Sequence, residues 1–192
     1  MIQKEKVMNI KKIKILSCFT AFFLCFPIHF IYDIFPNPIT AIFTPVNESI
    51  WEHMKLLFGS LLLTGILEKI MYQHFDIKHH NLFFSTWLGA FLSIPLYLLF
   101  YLPLYIKFGE SMLLNLTILF LTIGIIELLQ YYLLQLPNYH MLNSLSPIFI
   151  IAIYLGFAYL TYYPPHNLLF FDTLEEKYGI SEYLSQTKKE RI

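Results

Sequence analysis

Apolar residues run along this chain in five blocks, each closed by prolines or by a cluster of polar residues. The blocks cover Ile15 to Ile34, a stretch from near Pro45 to Tyr72 (span residues 47–72), Leu82 to Ile106, Met112 to Gln135 and Leu145 to Tyr163. A helix needs about 20 mostly apolar residues to cross the hydrocarbon core of a bilayer, and each block reaches that length. Pro36 with Pro38, Asp76 to Asn81, Lys107 to Glu110, Pro137 to Ser144 and Pro164-Pro165 break the pattern between and after them. Pro95 and Pro103 lie inside the third block, where each removes a backbone donor and crowds the preceding turn. They predict a kink there, or an end near Pro103. The short apolar run Ile39 to Phe43 is expected to lie in the interface or to re-enter. The fold predicted is all-α: a polytopic bundle of about five transmembrane helices over residues 1–163, then a polar tail over 164–192. In that tail, Leu174 to Lys177 and Ser181 to Leu184 are expected to form short interfacial helices.

Composition strengthens this reading. The chain of 192 residues is 57% hydrophobic and 14% charged, with a formal net charge of zero. Ordinary soluble domains are about 25% charged. From Leu82 to Tyr163 the only charges are Lys107, Glu110 and Glu127, too few to give every element a solvated face. These figures exclude an ordinary cytosolic enzyme, a disordered chain and a basic nucleic-acid binder. Cys18 and Cys25 both fall in the first block and read as apolar packing residues rather than a disulfide. Lys4, Lys6, Lys11, Lys12 and Lys14 precede that block. The block is long for a signal-peptide core and no small-x-small cleavage site follows, so it reads as an uncleaved span. The basic start places the N-terminus in the cytoplasm, and five spans then put the C-terminus outside a cell membrane. Nine tyrosines, among them Tyr97, Tyr101 and Tyr163, lie mainly towards span ends, as interfacial anchors do.

The residues that carry chemistry are ionisable groups at or inside the spans, where charge is costly. The densest set is Pro45-Val46-Asn47-Glu48-Ser49-Ile50-Trp51-Glu52-His53-Met54-Lys55. With Thr44 as cap and Pro45 at the first helical position, Glu48 and Glu52 would share a helix face with Lys55 a turn further on. A second set, His166 and Asp172, follows the Pro164-Pro165 stop and lies on the same side of the membrane. Together Glu48, Glu52, His53, His166 and Asp172 form a candidate catalytic site, with Glu52, His53 and His166 as ligands for a divalent metal ion. The alternative is structural: acids favouring a helix start, Glu52 paired with Lys55, and Trp51 anchoring the interface. A third set is Glu127 and Gln130, with Glu68 as a neighbour, readable as an ion path or as interhelical hydrogen-bond glue. Cys25, His29 and Asp33 recur at four-residue spacing as a further ligand stripe, with core packing the alternative for Cys25. No G-x-S-x-G, H-E-x-x-H, C-x-x-C or Walker pattern occurs.

The run from Pro45 to Lys55 resembles the signature of a family of small bacterial membrane proteins of unknown function. Pro164-Pro165-His166-Asn167-Leu168-Leu169-Phe170-Phe171-Asp172, followed by Tyr178-Gly179-Ile180, resembles that family's late element with slightly different spacing. The resemblance implies a multi-span membrane fold and no particular reaction. Abundant Ile, Lys, Asn, Phe and Tyr with scarce Ala points to an AT-rich bacterial genome. Three functional readings stay open: an outward-facing site for a cation or polar head-group, extending to a membrane-embedded hydrolase; a small transporter or channel component using Glu127 and Gln130; and a non-catalytic accessory protein. The lipid bilayer is the expected partner throughout. Five spans are few for a self-sufficient transporter, so that reading adds a second copy or another membrane protein.

Overall fold

The computed structural model describes residues 8–180, and among them the chain is almost wholly helical. In chain order the helices are α1 (Ile10–Ile34), α2 (Pro38–Phe43), α3 (Ile50–His74), α4 (Leu82–Phe108), α5 (Met112–Leu133) and α6 (His140–Tyr162). A two-stranded hairpin, β1 (Phe171–Asp172) and β2 (Lys177–Tyr178), follows. At about 1.5 Å per residue, the five long helices each exceed the thickness of a hydrocarbon core of about 30 Å.

Local chemistry sets the helix starts. The side chains of Asn9, Ser49 and Ser111 accept hydrogen bonds from backbone N–H groups in the first turns of α1, α3 and α5. Asn37 and Thr40 form a reciprocal capping box around α2, with Pro38 just inside, which makes a helix of the Ile39 to Phe43 run. Asn81 opens α4 from a left-handed conformation, φ 55°. Its amide donates to the carbonyls of Leu133, Leu136 and Pro137, and its oxygen accepts from the Tyr139 backbone and the Asn143 amide. One buried asparagine thus latches the α3–α4 connection to the α5–α6 connection. The third block runs as one helix through both Pro95 and Pro103 to a Gly109 cap at φ 74°, so no end occurs near Pro103.

Helices α1, α3, α4 and α5 form a closed ring, with α6 against the outside of α4 and α2 against α6. Four helices, α1, α4, α5 and α6, are long and apolar enough to cross a membrane. Their outward faces carry large apolar side chains such as Phe23, Leu99 and Ile151, each at least 60% exposed. An apolar exterior of that extent suits lipid rather than water. Helix α3 differs. It carries Glu52, Lys55, Glu68 and Lys69 and is enclosed on several sides, and the first three of these charges are buried.

Small residues permit this close ring. A Cβ added to Gly65 on α3 would collide with the branched Thr86 side chain on α4, and one added to Gly89 on α4 would collide with the Gln130 amide on α5. The chain after α6 is not a free tail. Residues 164–180 fold back over the start of α3, burying Phe170, Asp172 and Ile180. Thr173 to Glu176 form the turn of the hairpin and Lys177 opens β2, in place of the expected helix. Backbone pairing of Phe171 with Tyr178 and of Asp172 with Lys177 outcompetes it. The segment Ser181 to Leu184 lies outside the described residues.

Thr86 is short and β-branched and cannot swing aside. Gly65→Ala is therefore expected to force α3 and α4 apart and lower unfolding stability by about 1–3 kcal/mol, read as a fall in the thermal midpoint in detergent; an unchanged midpoint would refute the close approach.

Candidate functional site

The loop between α2 and α3 decides the geometry. Thr44 caps the end of α2, and α3 begins five residues later than the Pro45 start predicted, because Ser49 is the cap. The Ser49 N–H donates to the Asn47 side chain at 3.0 Å, a local turn that delays the helix. Glu48 therefore sits in the loop, and it does not share a helical face with Glu52.

Glu48 points instead at two imidazoles. Its Oε2 lies 3.4 Å from His29 Nε2 and 3.3 Å from His53 Nε2, and the two nitrogens are 3.3 Å apart. Three candidate ligand atoms from α1, the loop and α3 thus form a nearly equilateral triangle. His53 Nδ1 lies 2.9 Å from the Ser49 carbonyl oxygen. Holding Nδ1 there turns Nε2 towards Glu48 and His29, the arrangement that orients ligating histidines. The Glu48 carboxyl is held well below the usual carboxylate range by hydrogen bonds from His29 and then His53, outweighing burial, which pushes it up. Its stabilising contribution is thus present above that range and is lost as the pH falls below it.

Asp172 arrives from the hairpin and braces the loop. Its Oδ2 accepts the Glu48 backbone N–H at 3.0 Å, while Oδ1 accepts from Leu174 and Glu175. The Trp51 N–H donates to the Leu169 carbonyl at 2.8 Å, which ties the same segment to the start of α3.

The triangle lies between two hollows. On one side is a polar outer cleft of about 230 Å³ with Asp33, Asn47, Glu48 and Asp172 in its wall. On the other is a largely apolar cavity of about 340 Å³, running down between α1, α3 and α5. His29, Glu48 and His53 line the cavity, and side-chain exposures of 24%, 37% and 18% leave all three reachable.

The other predicted residues are placed elsewhere. Glu52 turns away from the triangle: Oε2 pairs with Lys55 Nζ at 2.6 Å and accepts the Val46 N–H, and Oε1 accepts the Thr161 hydroxyl at 2.8 Å. His166 stacks on Tyr178, ring centroids 4.4 Å apart, in an exposed position. The two ligands expected beside His53 are thus replaced by Glu48 and His29. His29 belonged to the weak Cys25–His29–Asp33 stripe. Cys25 lines the apolar cavity and Asp33 the outer cleft, so the stripe does mark the site wall.

Glu68, Glu127 and Gln130 meet at the opposite end of the bundle around a residue read only as a topology signal. Lys14 Nζ donates to both Glu68 oxygens at 2.7 and 2.8 Å, to Glu127 Oε2 at 2.9 Å and to Gln130 Oε1. All four residues are at most 4% exposed. Among the described residues, Glu127 Oε1, Gln130 Nε2 and the Tyr72 hydroxyl are buried without a partner. The only hint of Lys14's role was its place as the last lysine of the basic run, next to the first apolar block; α1 starts four residues before it.

Over residues 2–180 the chain matches a family of unknown function, DUF6512, and it belongs to that family. No curated protein and no solved structure matches it.

Removing one partner of a buried charge cluster strands the others, at a cost of about 3–5 kcal/mol. Lys14→Met is expected to destabilise the protein by that order in chemical or thermal unfolding, and the added Glu68→Leu change should recover part of the loss. A double variant worse than the single one would mean that Glu68 does not depend on Lys14.

Proposed function

We propose that the protein is a membrane-embedded metalloprotein. In this reading His29, Glu48 and His53 would hold a zinc-type divalent ion beside the cavity, and the centre would serve hydrolysis. The supporting observation is the triangle itself. Zinc bonds of about 2.0–2.1 Å in a tetrahedron place neighbouring ligand atoms about 3.3–3.4 Å apart, and the three edges are 3.3, 3.3 and 3.4 Å. Three protein ligands with an open position are the pattern of catalytic rather than structural zinc. The donor set of two imidazoles and one carboxylate suits zinc better than calcium or magnesium, which prefer oxygen.

The surroundings fit the chemistry. The outer cleft admits water to one side of the triangle, and the apolar cavity offers a dry place for a substrate on the other. Such an ion would supply a bound water acidic enough to serve hydrolysis of an acyl or phosphoryl bond near neutral pH. Glu110, which also lines the cavity, would be the carboxylate that passes the water's proton to the leaving group. Charged α3 is the fifth span in this arrangement: it buries Glu52, Lys55 and Glu68 and turns Leu63, Ile66 and Ile70 outward. With five lysines before or at the start of α1, the N-terminus lies in the cytoplasm and the triangle opens outward.

Metal analysis of the purified protein tests this. Wild type is expected to retain zinc through gel filtration, and Glu48→Gln, His29→Ala and His53→Ala to lose it, while His166→Ala keeps it. Zinc that follows His166 and ignores His29, or no zinc after reconstitution, would defeat the proposal. Ligating nitrogens must be unprotonated, so acidification is expected to release zinc from the wild-type protein, and zinc retained in acid would mean that the histidines are not ligands.

A further inference from the structure

We infer that the apolar cavity beside the His29–Glu48–His53 triangle is the channel for a hydrocarbon chain, so that the ligand is a single-chain acyl amphiphile with its head at the triangle. The inference rests on the metal-site reading and names the substrate class for it.

The lining carries the argument. Phe26 and Phe30 on α1, Leu56 and Leu57 on α3, and Leu116 and Leu119 on α5 make the wall. A polar or ionic ligand would lose its hydration there with nothing in exchange, whereas a hydrocarbon chain gains with each methylene. The polar groups gather towards one end, where His29, Glu48 and His53 stand beside Glu110 and Ser111, with Asn115 a turn further in and its side-chain oxygen taken by the Tyr97 hydroxyl. The cavity therefore has the polarity profile of an amphiphile, with one wet end and one dry one.

Its side opening faces lipid. At mid-helix α1 and α5 are closed against each other: Phe19 and Phe22 pack on Phe120 with ring centroids 5.7 and 5.3 Å apart, which separates this cavity from another hollow at the inner end lined by Lys14, Cys18, Glu127 and Tyr131. Further out the facing residues Phe26, Phe30 and Met112 line the cavity instead, and they are 38%, 54% and 74% exposed. The gap between the two helices widens toward the triangle. A chain lying parallel to the lipid tails can slide between them without crossing water. A water-soluble substrate would approach through the outer cleft and would have no use for this lateral route.

Alkyl hydroxamates test both halves, since the hydroxamate binds zinc and the chain is varied independently. On the zinc-loaded protein, affinity is expected to tighten about fourfold per added methylene until the cavity is filled. Leu116→Trp, which fills the cavity, should flatten that dependence. Hydroxamates that bind with no dependence on chain length would overturn the inference while leaving the metal site intact. A second arm does not need metal: an alkyl chain bearing a photoreactive diazirine, applied to wild type and to His53→Ala, with labelled residues mapped by mass spectrometry. Labels on Met54, Leu116 or Leu119 above those on the lipid-facing residues Ile151 and Leu155, and reduced by Leu116→Trp, support the channel. Labels spread evenly over the lipid-facing surface overturn it, whether or not zinc is bound.

Discussion

The whole bundle depends on the cost of leaving charge unpaired away from water. Helix α3 brings Glu52, Lys55 and Glu68 into the interior, and none could remain there alone. Each finds a partner on another part of the chain, and Glu52 and Lys55 also pair with each other. Glu68 reaches Lys14 on α1, which also reaches Glu127 and Gln130 on α5. Lys55 pairs with Glu52 and also donates to the carbonyls of Ala41 and Thr44 and to the Thr161 hydroxyl. These directional contacts fix the rotation and depth of α1, α3, α5 and α6 in a setting where apolar packing against lipid specifies little. Glycines at 65 and 89 then let the helices approach closely enough for the contacts to form.

The two charge clusters differ from the His29–Glu48–His53 triangle in how fully they are used. Lys55 and Glu52 spend nearly every donor and acceptor on protein partners and are almost wholly buried, which is how a structural pair behaves. In the triangle, two ring nitrogens and a carboxylate oxygen converge on one another from three segments, stay partly exposed, and stand between a polar cleft and an apolar cavity. Groups held in register yet left open to a ligand suit a binding role better than a bracing one.

The helical bundle was legible in the sequence because apolar runs and proline-rich breaks report on lipid and solvent directly. The blocks Ile15 to Ile34 and Leu82 to Ile106 in particular fall on α1 and α4 with ends shifted by a few residues.

 The third block in full, Leu82 to Ile106, lies within α4, which runs two residues further. The site was legible only in part. Glu48 and His53 were visible as ionisable groups beside a span, but their partner was assigned through the wrong helix start. Pro45 makes a sound first helical residue, and nothing in the sequence ranks it below the Asn47–Ser49 turn that displaced it. His29 gave only a four-residue spacing. His166 was misleading because its ring is taken up by Tyr178, twelve positions on, through a hairpin whose pairing is not a local property. Lys14 looked like one more cytoplasmic lysine, since a basic run before a first span has a sufficient explanation in topology alone.

The hydrogen bond from the Glu48 backbone to Asp172 also has a meaning in time. Glu48 precedes the second long helix, and Asp172 follows the last one, 124 residues later in the chain. A nascent chain carries His29, Glu48 and His53 long before it carries the side chain that braces their loop. The triangle therefore reaches its final form only when synthesis is nearly complete and the closing segment has reached the same end of the bundle as the loop. That meeting depends on how the intervening helices insert, because an odd number of missed crossings would leave Asp172 on the wrong side. The loop that carries Glu48 thus takes its braced form last, and only when Asp172 reaches its end of the bundle.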